Sequence, residues 1–187
     1  MKQFLFDNLK NLSGWRTRDK LVVFAVDDYG NVRLDSANAR DNLRAAGLEL
    51  IGRFDHCDAL ETRQDLEALY EVLTSVSDAL GRPAVLTPYS LCANPDFDTL
   101  RKVEGGYHYE PLPLTFERQA SRYPSAYSGA WSVWKEGIRL GLMRPQFHGR
   151  EHLNLEVFER KLKNRDKGLL TNLENRSLAA INNEPSM

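Results

Sequence analysis

The 187-residue chain is predicted to adopt an α/β fold in which parallel strands are surrounded by helices. An apolar, β-branched run at 20–26 is typical of a strand that is covered on both faces. Amphipathic patterns then alternate with short apolar runs, and this alternation favours a parallel sheet or barrel. The elements predicted in the first half are, in order, a strand at 20–26, a helix at 35–46, a strand at 48–54, a helix at 62–80 and a strand at 84–87.

Both predicted helices of the first half have recognisable ends. Asp35 or Ser36 can accept hydrogen bonds from the free N–H groups of the first helical turn, and Gly47 can end that helix. The longer helix begins at Thr62, where Thr62-x-x-Asp65 resembles a capping box with the shorter Asp in place of Glu. Its apolar side chains form one stripe, as expected for a helix that packs on a core: Leu66, Leu69, Tyr70, Leu73, Val76 and Leu80.

The second half is less regular. Turn-forming residues such as those of Asn94-Pro95-Asp96 predict an irregular insertion or lid at 92–127. Trp131 and Trp134 share an apolar helical face and are predicted to lie in the core. No linker divides the sequence, so 1–187 are predicted to form a single domain. The elements predicted after the insertion are a helix at 128–141, a strand at 144–147 and a helix at 155–164.

Composition and charge narrow the class of protein. A hydrophobic fraction of 42% is enough for a folded core. The net charge of -1 provides no global attraction to nucleic acids or anionic membranes, and we expect neither as a partner. No apolar run approaches the length of about 20 residues that spans a bilayer, so a cytoplasmic location is predicted. Cys57 and Cys92 fit no metal-binding spacing and are expected to be buried free thiols.

Two adjacent carboxylates end the first predicted strand. Residues just past the carboxyl ends of parallel strands line the ligand crevice of such folds, so Asp27 and Asp28 stand where catalytic groups are usually mounted. One carboxylate can bind a cation while its neighbour accepts a proton from water. The alternative interpretation is that both only cap the turn or helix that follows.

A pair of histidines follows a later predicted strand. His148 and His152 are four residues apart, one turn if that segment is helical, so both imidazoles can meet one divalent ion. Two histidines and one carboxylate are a common catalytic metal set. Gly149 stands where the His-Glu-x-x-His metalloprotease motif needs its Glu, which argues against that class. Chance spacing of two unrelated histidines is the alternative.

Together the Asp-Asp and His-x-x-x-His motifs resemble those of the polysaccharide deacetylase family. Its members carry an Asp-Asp pair directly after the first barrel strand and a His-x-x-x-His motif later in the chain. The resemblance runs from about 21 to 154. It implies that Asp28, His148 and His152 bind a divalent metal, most often zinc, and that Asp27 acts as the base. It also implies a distorted or incomplete (β/α) barrel of the polysaccharide deacetylase type.

Some details depart from the commonest form of the family. Tyr29 intervenes before Gly30, as in the YdjC-like chitooligosaccharide deacetylases of the same barrel superfamily, and Gly149 replaces a Ser or Thr. Few residues follow His152, and counterparts of the family's later motifs are not evident. We therefore expect a C-terminally truncated or degenerate copy.

The function that the resemblance implies is metal-dependent hydrolysis of acetyl groups from an acetylated sugar or polysaccharide. The alternative is a catalytically incomplete module that binds metal or carbohydrate without turnover, with a partner chain or oligomer completing the barrel. A third reading is a purely structural α/β protein with neither metal nor activity.

Four further residues are weaker candidates for contacts to substrate or ligands. Arg150 and Glu151 lie between the two histidines and are candidates for orienting an imidazole or Asp27, with a surface ion pair as the alternative. Asp55 and His56 follow the second predicted strand and are candidates for the same crevice, with a structural role as the alternative.

Overall fold

The computed structural model describes residues 6, 9, 14–50, 57–100, 102 and 106–179. Helices and strands alternate through most of this part of the chain. The elements are β1 (Phe24–Tyr29), α1 (Ala37–Ala45), α2 (Arg63–Thr74), β2 (Leu86–Leu91), β3 (Ala93–Pro95), α3 (Phe97–Leu100), β4 (Tyr109–Pro111), α4 (Leu112–Arg122), α5 (Pro124–Tyr127), α6 (Ala130–Arg139), β5 (Gln146–Gly149), α7 (Leu155–Lys163) and α8 (Lys167–Glu174).

A small parallel sheet lies at the centre of the fold. Its strand order is β1-β2-β5, with β2 paired in parallel to both neighbours. β3 and β4 form a separate antiparallel pair. The predicted mixed α/β class with parallel strands and surrounding helices is therefore confirmed, whereas the described residues do not form a closed barrel.

Aromatic side chains from three elements form the centre of the core. Trp134 on α6 is 2% exposed, and its ring lies 5.0 Å from that of Tyr29 and 5.8 Å from that of Phe116 on α4. Trp131 packs against Phe116 at 5.4 Å. The predicted core role of both tryptophans is confirmed, and through Tyr29 the core directly supports the carboxyl end of β1.

The prediction that the first strand is covered on both faces is wrong. Val22 and Val23 are 77% and 76% exposed, Phe24 is 55% exposed, and regular pairing begins only at Phe24. In the part of the chain that the structure describes, β1 is an edge strand of the sheet, and an open apolar groove of about 420 Å³ separates it from Val72 and Val76 of the α2 region. Among the described residues nothing fills this groove, so the apolar run remains open to solvent.

Helix α2 begins as predicted and ends early. Thr62 and Asp65 form the expected capping box, but the helix stops at Thr74 instead of continuing to 80. Asp78 accepts hydrogen bonds from the backbone N–H groups of Leu80 and Arg82. This turn competes with the helix for the same backbone groups, which explains the difference.

The segment 92–127 is more regular than its turn-forming residues indicate. It contains β3, β4 and the eleven-residue helix α4. This helix tolerates Pro113 because the proline lies in its first turn. Leu112 and Phe116 on this helix are buried in the main core. Proline and glycine therefore mark the ends of the elements in this segment.

Other expectations have mixed outcomes. Ser36 caps α1 as expected, whereas the described residues 48–50 are not in a strand, and 51–56 lie outside the described residues. Cys57 and Cys92 are free, as predicted, but exposed. Within the described part of the chain, every helix is too short or too polar to span a bilayer.

We expect Gly137→Ala to destabilise the protein although alanine favours helix. A Cβ at this position on α6 would lie 2.1 Å from the hydroxyl oxygen of Tyr70 on α2, and the loss from such overpacking is about 1–3 kcal/mol. Urea unfolding measures the change, with Ser132→Ala on the exposed face of the same helix as the control. Equal stability of the two variants would contradict the close packing of α2 on α6.

Candidate functional site

Asp28 occupies an unusual backbone position near the end of β1. Its φ is 57°, in the left-handed region that residues with a Cβ seldom adopt. The pairing of β1 with β2 shifts register between Val26 and Tyr29, so the regular alternation of side chains is interrupted there. The Asp28 carboxylate lies against His148 in β5 and His152 just after that strand.

The structure brings the three predicted metal ligands together. His148 Nε2 lies 3.3 Å from Asp28 Oδ1, and His152 Nε2 lies 3.8 Å from Asp28 Oδ2. The three side chains are 29–37% exposed, so the group is accessible from solvent. It spans the carboxyl ends of β1 and β5 across the central strand β2, the location expected for a ligand site in a parallel sheet.

The two histidines do not share a helix. His148 is in β5, and His152 lies in the loop that precedes α7. Between them Gly149 adopts a φ of 144°, which a residue with a Cβ rarely does, and this bend turns the chain back toward the site. Backbone hydrogen bonds from Cys92 and Ala93 to the carbonyls of Gly149 and Arg150 hold the bend against the end of β2.

The chemistry of this group fits a divalent metal, and one atom supports the fit. Asp28 Oδ1 is buried and receives no hydrogen bond, although His148 Nε2 lies 3.3 Å away, and a bound cation would compensate for the burial of this charged oxygen. One carboxylate and two imidazoles are also a donor set that zinc accepts. As the side chains stand, however, no three His, Cys, Asp or Glu residues of the described part are arranged around one metal position. Each imidazole instead contacts its own oxygen of Asp28.

Asp27, the predicted base, precedes Asp28 in β1. Its side chain is exposed, and within the described residues it forms no hydrogen bond or ion pair. No contact restricts its carboxylate to one orientation there. The carboxylate is accessible to a water molecule or a substrate at the same strand end.

Arg150 and Glu151 pair with each other. The Arg150 guanidinium donates to both carboxylate oxygens of Glu151, with an Nη2–Oε1 distance of 2.7 Å, and lies 4.3 Å from the Tyr109 ring. Glu151 raises the pKa of Arg150. In the described residues neither side chain hydrogen-bonds to a histidine of the site. No direct contact to a histidine therefore supports the predicted orienting role, because Arg150 and Glu151 are paired with each other.

The remaining two candidates, Asp55 and His56, lie outside the described residues.

Sequence reasoning missed three residues that support the site. Arg33 Nη2 lies 3.3 Å from His152 Nδ1. Asn94, which is 1% exposed, accepts a hydrogen bond from the Val32 N–H at 2.8 Å and donates one to the Gly30 carbonyl at 2.9 Å. Glu61 accepts a hydrogen bond from the Gly30 N–H at 3.1 Å. All four contacts of these three residues are long-range, and no local motif in the sequence signals them.

Burial makes Glu61 a titrating group near neutral pH. Its Oε2 is buried without a hydrogen-bond partner, and burial raises the pKa of Glu61 from 4.5 to about 7. The neighbouring Tyr29 has a raised pKa as well, through burial and the charge of Glu61. The turn after Asp28 therefore rests on a carboxyl group whose charge changes in the physiological range.

Comparison with known proteins gives no relative for this chain: no family model, no curated protein and no solved structure matches it.

We expect Glu61→Gln to flatten the pH dependence of stability. Because the folded state raises the pKa of Glu61, its contribution is fully present below pH 4.5 and is lost as the pH rises through 7. The free energy of unfolding of the wild type should fall relative to the variant by on the order of 2 kcal/mol over that window. Urea unfolding at pH 4.5 to 8 measures this difference, with Glu67→Gln on the exposed face of α2 as the control. Parallel curves for wild type and Glu61→Gln would contradict the burial effect.

Proposed function

We propose that this protein is a metal-dependent hydrolase that removes acetyl groups from an acetylated sugar. The observation that carries the proposal is the convergence of Asp28, His148 and His152 at the carboxyl ends of β1 and β5. Residues more than a hundred positions apart meet there with the donor types of a catalytic zinc site.

In this proposal Asp28, His148 and His152 hold a divalent metal, with zinc the best match to the donors. When bound, such a metal supplies Lewis acidity toward the acetyl carbonyl and lowers the pKa of a nearby water. Asp27 accepts the proton of the attacking water on a carboxylate oxygen. Its exposure and freedom from ion pairs among the described residues suit that role, because no partner competes for the oxygen.

The surroundings of the site suit a sugar. The three ligand side chains are partly exposed, so a bulky substrate can reach them. Tyr89, itself 37% exposed, has its ring 6.0 Å from that of His148. Aromatic rings with one apolar face and one polar edge are suited to contacts with sugar rings. We therefore assign Tyr89 to the substrate side of the proposed site.

A second candidate is a module that binds metal or carbohydrate without turnover. The sheet formed by the described residues favours it: within them β1 and β5 are both edge strands, and the groove beside β1 is unfilled. In that case a partner chain or a second copy completes the structure. Metal binding without acetate release would distinguish this candidate from the first.

We expect purified wild-type protein to bind about one divalent ion per chain after supplementation with zinc, and the His148→Ala, His152→Ala double variant to bind none. The reason is that the double variant removes both nitrogen donors. Elemental mass spectrometry measures the content, and His108→Ala, an exposed histidine in the loop before β4, is the matched control. A folded wild type without bound metal would rule out the metal-dependent mechanism.

We expect Asp27→Asn to keep the metal and to lower acetate release by about 10²–10⁴-fold, because an amide cannot accept the proton of the attacking water. Acetate release from acetylated chitooligosaccharides or xylan measures turnover, and metal content is measured on the same sample. Asp41→Asn on α1 is the control. Full turnover in Asp27→Asn with metal retained would show that another group is the base.

A further inference from the structure

Arg33 is placed to control whether His152 can bind a metal. Its Nη2 lies 3.3 Å from His152 Nδ1, and its Nε lies 3.4 Å from a carboxylate oxygen of Asp58. Its backbone carbonyl accepts hydrogen bonds from the Ser177 hydroxyl at 2.7 Å and the Leu178 N–H at 2.8 Å. The residue is thus anchored at both its backbone and its side chain.

The contact determines which nitrogen of His152 carries a proton. A guanidinium has only N–H donors and keeps its proton in proteins, so His152 Nδ1 must be the acceptor. A neutral imidazole has one N–H, which then resides on Nε2. That assignment is consistent with the other side of the ring, where Nε2 faces the carboxylate of Asp28 at 3.8 Å. Arg33 is therefore the hydrogen-bond partner of Nδ1, while Nε2 lies near the Asp28 carboxylate but beyond hydrogen-bond distance.

This hydrogen-bonded state and a metal-bound His152 exclude one another. A metal at Nε2 needs the lone pair of that nitrogen, which moves the proton to Nδ1, where it would point at the donors of Arg33. A metal at Nδ1 would displace Arg33 directly. In either case a positive guanidinium also lies close to a divalent cation, and the two charges repel.

We propose that Arg33 is a positioning residue that opposes metal binding: its guanidinium holds His152 Nδ1 as a hydrogen-bond acceptor, so that a metal can occupy the site only when this contact is broken. This inference rests on the proposed function, since it concerns the same metal site.

Arg33→Gln tests the proposal, because glutamine removes the charge and offers a carbonyl oxygen that can accept from Nδ1–H. Arg33→Lys keeps a charged donor, and Arg40→Gln on α1 removes a surface arginine as the matched control. The first measurement is ¹⁵N NMR of the histidine side chains in metal-free protein, which distinguishes the two tautomers of a neutral imidazole. The second is titration with cobalt(II), followed by its absorption spectrum.

We expect wild-type His152 to be the Nε2–H tautomer, and Arg33→Gln to shift it toward Nδ1–H and to bind cobalt at least ~10-fold more tightly, a size typical of partners that orient metal ligands. Arg33→Lys and Arg40→Gln should stay near wild type. An Nδ1–H tautomer in the wild type, or equal cobalt affinity in Arg33→Gln and wild type, would overturn the proposal. If no variant binds cobalt, the proposed hydrolase function fails, while the NMR spectrum still decides the assignment of Arg33 to His152.

Discussion

The buried amide of Asn94 joins the turn after Asp28 to the rest of the molecule. Its oxygen accepts from the Val32 N–H, its nitrogen donates to the Gly30 carbonyl, and it also reaches Thr115 on α4. Hydrogen bonds of this kind strengthen one another in a low-dielectric interior, and leaving any of these groups unpaired would be costly. These hydrogen bonds, the Asn94 clamp, fix the backbone between Asp28 and Arg33. The positions of the Asp28 carboxylate and of the Arg33 side chain therefore depend on the clamp.

The same clamp links the two sheets. Asn94 belongs to β3, whereas the turn that it holds continues from β1. Since β1 carries Asp28 and the backbone around Cys92 and Ala93 holds the bend that follows His148, one short segment positions both halves of the site. The site is therefore assembled by tertiary contacts between distant parts of the chain, with only a minor contribution from any single helix.

Local signals in the sequence predict where two of the helices begin. Ser36 and Thr62 mark the beginnings of α1 and α2 because capping acts within four residues. The meeting of Asp28 with His148 was expected from strand-end topology and the family resemblance together. Contacts that depend on three-dimensional packing could not be predicted from the sequence. Nothing local to Arg33 indicates that its side chain contacts a histidine far along the chain.

The exposure of β1 could not be predicted either, because it also depends on which other segments pack against the strand. An apolar run reads identically whether a neighbour covers it or not, so the sequence around Val22 and Phe24 predicts burial that the described residues do not provide. Likewise, the early end of α2 depends on the turn around Asp78, which competes with a helical stripe that periodicity alone would extend to Leu80. Hydrophobic periodicity and helix or strand propensity show which secondary structures a segment can form, and its tertiary contacts determine which of them it adopts.

The left-handed backbone of Asp28 has a consequence for protein engineering. Glycine pays no steric penalty at a φ of 57°, whereas a residue with a Cβ holds on the order of 1 kcal/mol of strain there. A search that ranks variants by thermal resistance alone would therefore favour glycine at this position, and would discard the carboxylate in doing so. Thermostability favours glycine at this position, whereas the proposed metal site needs the carboxylate, so Asp28 should be held constant in any stabilised version of this protein.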